Sequence, residues 1–297
     1  MKVFVTGATG FVGTAVVKEL VAHGHKVTGL ARSDESAEKL IAVGATYVKG
    51  ELTDTDIVVD AAKTADGTVH LGLVYDAQNP KRREAVDRHI IGAICDAYIG
   101  TGKPFIATGG TLFVVNDTKV DEDFQQDFKK IQFAEGRASN ELFALSYASK
   151  GVRSMSVRLS PSVHDIGDIG FIPTLIEMSK KNGYVYYPGT GENVWPAVHR
   201  QDAAVLYRLA LEGAPAGSIL HGVGEEGIPV KTIAEALSKK LGLTKCSVPA
   251  AELPEKLGPR FGVIFALNNP TSNAKTKTIT GWKPTEIGLI EDILENY

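Results

Sequence analysis

Short apolar runs alternate with longer stretches of helical spacing through the first two-thirds of this chain. Residues 2–5 (Lys-Val-Phe-Val) predict a first strand, and 14–22 predict a helix. Residues 26–31 predict a second strand, followed by a helix over about 35–43 that stops at Gly44, a residue suited to the position after a helix. A third strand over 46–49, a helix near 56–63 and a fourth strand over 67–72 continue the rhythm. A long helix over about 83–100 then precedes a fifth strand at 104–108. The polar, acidic residues 112–131 predict a loop over one sheet edge. The spacing of Phe133, Leu142, Leu145 and Ala148 predicts a helix over about 133–149, and 152–159 predict a sixth strand ending at Ser160-Pro161. Strand–helix units of this length, repeated, predict a parallel sheet with right-handed crossovers.

The rhythm changes after residue 162. Glycine, proline and aromatic residues thicken between 167 and 191, which suggests a smaller, irregular cap. Helices over 203–211 and 231–241 and a seventh strand over 219–223 follow. Tyr184-Val185-Tyr186-Tyr187 alternates as a strand would, and its rings either pack a core or line a pocket.

Composition narrows the function. The 297 residues carry a formal net charge of -3, with 43% hydrophobic and 23% charged residues, as in an ordinary globular protein. No basic surplus exists to neutralise phosphates, which argues against nucleic acid as the main partner. No apolar run reaches the ~18 residues of a membrane span, and the chain opens directly on a strand, so a cytoplasmic protein without a leader is expected. Cys95 and Cys246 give no disulfide framework, and the seven histidines show no metal-ligand spacing.

The strongest chemical signal is Thr6-Gly7-Ala8-Thr9-Gly10-Phe11-Val12-Gly13, set between the first strand and the first helix. That order is the context a dinucleotide fingerprint requires. Gly7 suits a tight turn because it lacks a Cβ. Gly10 lets backbone approach a pyrophosphate, and Gly13 lets the helix pack close on the strand. Free N–H groups and the macrodipole at the helix start favour negative charge. The expected fold is therefore α/β: a Rossmann-type doubly wound parallel sheet of about seven strands with a small C-terminal α/β substrate cap. The dinucleotide domain would take 1–162 plus about 195–223, and the cap about 163–194 plus 224–297.

With these pieces in place the chain resembles the extended short-chain dehydrogenase/reductase superfamily over nearly its whole length, and in particular the atypical members. The resemblance is carried by Thr6 to Gly13, His70-Leu71-Gly72, Arg158-Leu159-Ser160-Pro161, the run from Trp195 to Ala204, and Gly281-Trp282-Lys283-Pro284. It implies that Gly7, Thr9, Gly10, Phe11, Val12 and Gly13 wrap the pyrophosphate. It also implies that Leu71, Gly72 and Leu73 line the cofactor path, that Thr108 joins it, and that Pro161 and Val163 border the nicotinamide. The end of the second strand decides cofactor type: an acid there holds the ribose hydroxyl of NAD, whereas Arg accommodates a 2′-phosphate. Arg32-Ser33 stands there, with the first acid one step later at Asp34, and predicts NADP(H). The alternative is that Arg32 is solvated and Ser33 merely caps the next helix.

The family's proton relay is a Tyr-x-x-x-Lys pair with a Ser or Thr at the fifth strand's exit. Anchoring on Glu141 places that pair at Phe133 and Arg137, and the hydroxyl position at Gly109, with Thr111 as a nearby substitute. Phe133 has no hydroxyl, and Arg137 can hold ribose oxygens but not deprotonate. Tyr147 and Lys150 are three apart at a helix end and read as ordinary structure. Candidate proton donors are Tyr75, just past the fourth strand, then His164, which titrates near neutrality, then Thr111. Asp76 and Asn79 could orient Tyr75 or cap the next helix. His199 reads as a packing histidine. The expectation is an NADP(H)-dependent oxidoreductase acting on a small carbonyl or conjugated ketone through a non-standard proton relay. Two other readings stand beside it: a non-catalytic NADP(H)-binding sensor, and a sugar-nucleotide epimerase or dehydratase. The resemblance further implies a possible homodimer through the helices at about 83–100 and 133–149.

Overall fold

The computed structural model describes residues 1–74, 76, 79–125 and 134–297. Tyr75 and Phe133, named above as a proton-donor candidate and as the occupant of the family's tyrosine position, lie outside the described residues. The first half runs β1 (Lys2–Thr6), α1 (Phe11–Ala22), β2 (Lys26–Ala31), α2 (Asp34–Ala42), β3 (Thr46–Lys49), α3 (Thr55–Thr64), β4 (Gly67–His70), α4 (Pro80–Tyr98), β5 (Pro104–Gly110), α5 (Glu135–Ser146) and β6 (Arg153–Leu159). Next come β7 (Ser162–His164), α6 (Phe171–Asn182), β8 (Tyr184–Pro188), β9 (Val194–His199), α7 (Arg200–Gly213), β10 (Ile219–Gly222) and β11 (Glu225–Pro229). The chain closes with α8 (Val230–Leu241), β12 (Thr244–Val248), α9 (Leu253–Leu257), α10 (Phe261–Phe265), α11 (Ala274–Thr280) and α12 (Leu289–Asn296). Among the described residues no helix is long and apolar enough to cross a membrane.

Seven parallel strands form the central sheet in the order β10-β6-β5-β4-β1-β2-β3. The order reverses between β1 and β4, and that switch point is where open α/β sheets bind ligands. Side chains alternate across the sheet. Val3 and Val5 join one core with Val16, Leu20, Ile106, Val157, Leu206 and Tyr207, under α1 and α7. Phe4 and Phe105 point the other way and pack with Ile90, Ile94 and Tyr98 under α3, α4 and α5. A third core, around Trp195, Leu237, Leu253 and Phe265, belongs to the C-terminal region.

That region is more regular than its glycine content suggests. The stretch 163–194 holds a twelve-residue helix and a five-residue strand. Gly170 and Gly183 are the two ends of α6, with Gly183 at φ 74°, so these glycines punctuate a helix rather than fill a loop. α6 buries Ile172 and Leu175 and exposes Lys180. β8 pairs in parallel with β12, and Tyr186 and Tyr187 pack against the third core while Tyr184 stays exposed. β9 pairs with both β7 and β11 in a separate small sheet. At the other end of the chain, α1 starts at Phe11 rather than 14, so Gly13 lies inside its first turn.

One buried ion pair fastens α5 to β6. Arg158 donates through Nε and Nη2 to both oxygens of Glu141, at 2.8 to 3.0 Å, and Ser156 Oγ donates to Oε1 at 2.6 Å. Both charged residues are 3% exposed. Removing one partner strands the other charge in the interior, which costs about 3–5 kcal/mol. Arg158→Leu should lower unfolding free energy by that amount in denaturant titration, and Arg158→Leu with Glu141→Leu should lose less than the single change.

A second buried group makes stability depend on pH. His221 is fully buried, its Nδ1–H donating to Ser272 O at 2.8 Å, and burial pushes its pKa down from 6.5 to about 4. Between those values the unfolded chain takes up a proton that the native imidazole refuses, so stability falls as pH drops through this window. The contribution approaches ~3 kcal/mol at the acid end. Denaturant titrations at pH 7 and 4.5 should show a shallower loss for His221→Gln than for the wild type.

Candidate cofactor and substrate site

The turn after β1 is built from backbone. Gly7 sits at φ 65°, and a Cβ there would lie 2.7 Å from the backbone of Leu71 and Gly72. A Cβ on Gly13 would stand 2.0 Å from Gly7 O, so only glycine lets α1 rest on the turn. At Gly10 a Cβ would meet just Gly7 O, at 3.2 Å, and this residue is exposed. Gly10 N–H donates to Gly7 O at 3.0 Å, and among the described residues no side chain caps α1. The N–H groups of its first turn are thus left for an anion. Thr9, Phe11 and Val12 are half-buried around this opening. The cradle fits a dinucleotide pyrophosphate: Gly7 makes the tight turn and Gly13 the close packing of α1 on it.

A buried polar chain ties the two strands at the switch point. The Thr6 hydroxyl accepts the Gly72 N–H at 3.0 Å and donates to His70 Nδ1 at 2.8 Å. His70 Nε2 then donates to Asp87 Oδ1 at 3.1 Å, and Asn140 Nδ2 donates to Asp87 Oδ2 at 2.7 Å. Burial works to raise the Asp87 pKa, but the bonds from His70 and Asn140 hold its carboxyl below the usual range. Leu71 packs on the first core beside the turn, Gly72 is half-buried, and Leu73 is exposed. His70, Asp87 and Asn140 escape the sequence reading as a network. The available signal was polar residues at the buried positions of α4 and α5.

At the end of β2, Arg32 is exposed. Ser33 Oγ caps α2 by accepting Ser36 N–H at 3.2 Å. Asp34, the first acid after them, takes a 2.6 Å hydrogen bond from Lys49 Nζ.

The exit of β5 carries the remaining elements. Thr108 Oγ1 donates to His70 O and accepts from Tyr207 OH, both at 2.8 Å, and Thr108 O accepts Arg137 Nη2 at 3.2 Å. Arg137, which the sequence reading sets at the family's lysine position, is half-buried with its guanidinium 5.8 Å from the Phe113 ring centre. Burial lowers its pKa and Asp87 opposes that, so the group stays cationic. The open position at this exit is Gly110 rather than Gly109. A Cβ on Gly109 would lie 2.5 Å from Glu141 Oε1, whereas on Gly110 it would meet only Leu159 O, at 3.8 Å.

Two proton-donor candidates are engaged elsewhere. The fully buried Thr111 hydroxyl donates to Asn269 Oδ1 at 2.8 Å, and Asn269 Nδ2 donates back to Thr111 O at 3.0 Å. His164, 1% exposed, bonds Asp292 Oδ2 at 2.7 Å through Nδ1, and burial lowers its pKa. His199 packs edge-on against it at 5.3 Å and accepts Gln201 N–H at the start of α7. Pro161 and Val163 are half-buried, Val163 against the first core. Tyr147 OH donates to Asp96 at 2.8 Å, a structural bond. Asn79 caps α4 by accepting Arg82 N–H, and Asp76 accepts the Asn79 N–H. A cleft of about 690 Å³ opens at the carboxyl side of the sheet between the starts of α4 and α5 and Arg260, with Lys81, Glu84, Glu135 and Ser139 on its walls.

A doubly wound sheet with a glycine cradle at its switch point defines a dinucleotide-dependent enzyme of the short-chain dehydrogenase/reductase type. The chain belongs to the NAD dependent epimerase/dehydratase family, whose pattern matches residues 3–220. It is accordingly an oxidoreductase-type enzyme with a nicotinamide dinucleotide cofactor. An uncharacterized protein of Saccharomyces cerevisiae is 42% identical over 301 residues, covering 100% of this chain and 99% of that one. A 2-alkyl-3-oxoalkanoate reductase of Stenotrophomonas maltophilia is 26% identical over 82% of this chain and 76% of its own. The solved dTDP-glucose 4,6-dehydratase of Streptomyces venezuelae, with NAD and TYD bound, superposes at a TM-score of 0.79. It is 17% identical, over 100% of this chain and 95% of that one, a likeness of fold.

The two glycines at the β5 exit should differ under substitution. Gly110→Ala should leave unfolding free energy and dinucleotide affinity nearly unchanged. Gly109→Ala should destabilise by about 1–3 kcal/mol as the Glu141–Arg158 pair is pushed apart; thermal denaturation of both variants checks this.

Proposed function

We propose that this protein is an NADP(H)-dependent reductase of a small carbonyl or conjugated ketone that works without the Tyr–Lys relay. The observation that carries the cofactor choice is the end of β2. There Arg32 is exposed while the nearest acid, Asp34, is held by Lys49. A guanidinium suits the 2′-phosphate, and an acid already paired competes poorly for a ribose hydroxyl. The Stenotrophomonas relative, a reductase by its name, supports carbonyl reduction. Against sugar-nucleotide epimerisation stands Phe133, which cannot remove a hydroxyl proton.

When bound, the nicotinamide supplies the hydride. Arg137 spends one N–H on Thr108 O and keeps others for ribose hydroxyls or for charge developing on a carbonyl oxygen. The polar chain from Thr6 to Asn140 keeps the β1 and β4 ends in register beneath the cofactor. The Thr111 hydroxyl is spent on Asn269 and His164 Nδ1 is tied to Asp292 in the interior; of the three candidates we take Tyr75 as the proton donor. A conjugated acceptor eases that demand, since the enolate left by hydride addition takes its proton from water.

NADPH oxidation assayed against a panel of ketones and enones tests the reading. Turnover should be measurable with NADPH in preference to NADH, and Arg32→Gln should remove that preference. Tyr75→Phe should lower kcat by about 10²–10⁴-fold with NADPH affinity unchanged. Tight NADPH binding with no turnover across the panel would instead favour the non-catalytic sensor.

A further inference from the structure

The glycine cradle contains no cation: residues 6–14 include neither lysine nor arginine. The N-terminus of α1 contributes roughly half an elementary charge, less than a doubly anionic pyrophosphate calls for. One cation does reach this turn from elsewhere in the fold. The Arg200 guanidinium lies 4.6 Å from the centre of the Phe11 ring, and Phe11 is the first residue of α1. We infer that Arg200 is a pyrophosphate-binding residue, closing over the cradle from the start of α7; this rests on the cofactor reading above.

The placement is rigid. Arg200 opens α7, whose Leu206, Tyr207 and Ala210 share the first core with Val16 and Leu20 of α1, so the two helices hold a fixed relation. The guanidinium side chain is 21% exposed. Asp165 Oδ2 accepts from Nε at 3.0 Å and lies 2.7 Å from Nη2, both on one side of the fork. Among the described residues Nη1 has no hydrogen-bond partner, and the ring beneath restrains the plane. A planar fork with one edge anchored and one edge open is the form that suits a phosphate. The competing reading is that Arg200 and Asp165 only tie the loop after β7 to α7. The two readings part when the aspartate is changed, because that breaks the tie but keeps the cation.

Binding titrations with three probes settle it: NADPH, ADP-ribose (pyrophosphate without nicotinamide or 2′-phosphate) and adenosine 2′-monophosphate (no pyrophosphate). Arg200→Gln should weaken NADPH and ADP-ribose by about ten- to a hundredfold, the loss of one charge-assisted contact, and leave adenosine 2′-monophosphate unaffected. Asp165→Asn should keep ADP-ribose affinity within about threefold of the wild type. The inference is overturned if Arg200→Gln binds ADP-ribose like the wild type. It is equally overturned if Asp165→Asn loses as much as Arg200→Gln, or if adenosine 2′-monophosphate binding falls in parallel. A wild type that binds neither NADPH nor ADP-ribose would overturn the cofactor reading together with this one.

Discussion

The structure depends on a contact between pieces of backbone. A side chain on Gly13 would stand 2.0 Å from the carbonyl of Gly7, and one on Gly7 would strike the chain leaving β4. Helix α1, the turn before it and the end of β4 therefore meet with nothing between them. The Thr6 hydroxyl then stitches β1 to Gly72. Because β1 and β4 are neighbours with Thr6 opposite His70, and β4 and β5 with His70 opposite Ala107, this contact also sets where the β5 exit stands. Thr108 and Arg137 inherit their positions from it.

Helix α5 is fixed by a second device. Arg137 and Glu141 are four residues apart and share a helix face. Glu141 is locked to Arg158 and Ser156 on β6, so the helix cannot rotate the arginine away from Thr108. Gly109 lies between them, and its missing side chain is the room Glu141 occupies. The glutamate that helps align the motif in sequence is thus a clamp. The glycine at the strand exit is a steric condition for that clamp.

These relations were unevenly legible. The central strands were readable because parallel strands covered on both faces appear as continuous apolar runs. The glycine cradle was readable because its whole geometry lies within eight consecutive residues. The polar chain below it was not, since Thr6 meets His70 across 64 positions and Asp87 meets Asn140 across 53. Such pairs follow from the sheet register, which no local spacing encodes. Strands β11 and β12 were missed for a related reason: their partners, β9 and β8, lie well back in the chain. Ser33 shows a different limit. Local spacing offered it both as a helix cap and as a cofactor contact, and the structure shows the cap.

If Phe133 stands where the family has its tyrosine, as proposed, that loss need not turn such a fold into a mere binder. A general acid is worth about 10²–10⁴ in rate, roughly 3–5 kcal/mol. Holding two reactants in attacking geometry supplies roughly 7–11 kcal/mol. On the proposed reading four parts of this chain would serve the positioning of hydride donor and acceptor: a cradle for the dinucleotide, a clamped helix, a cation with unspent donors at the β5 exit, and a cleft on the carboxyl side of the sheet. What the proposed reading lacks serves proton delivery, the lesser of the two contributions. A substrate whose reduced form is a stabilised anion places little demand on proton delivery, because solvent can protonate it after the hydride has moved. On the proposed reading the altered relay would act as a filter on substrates, favouring electron-poor carbonyls over simple alcohol–ketone pairs.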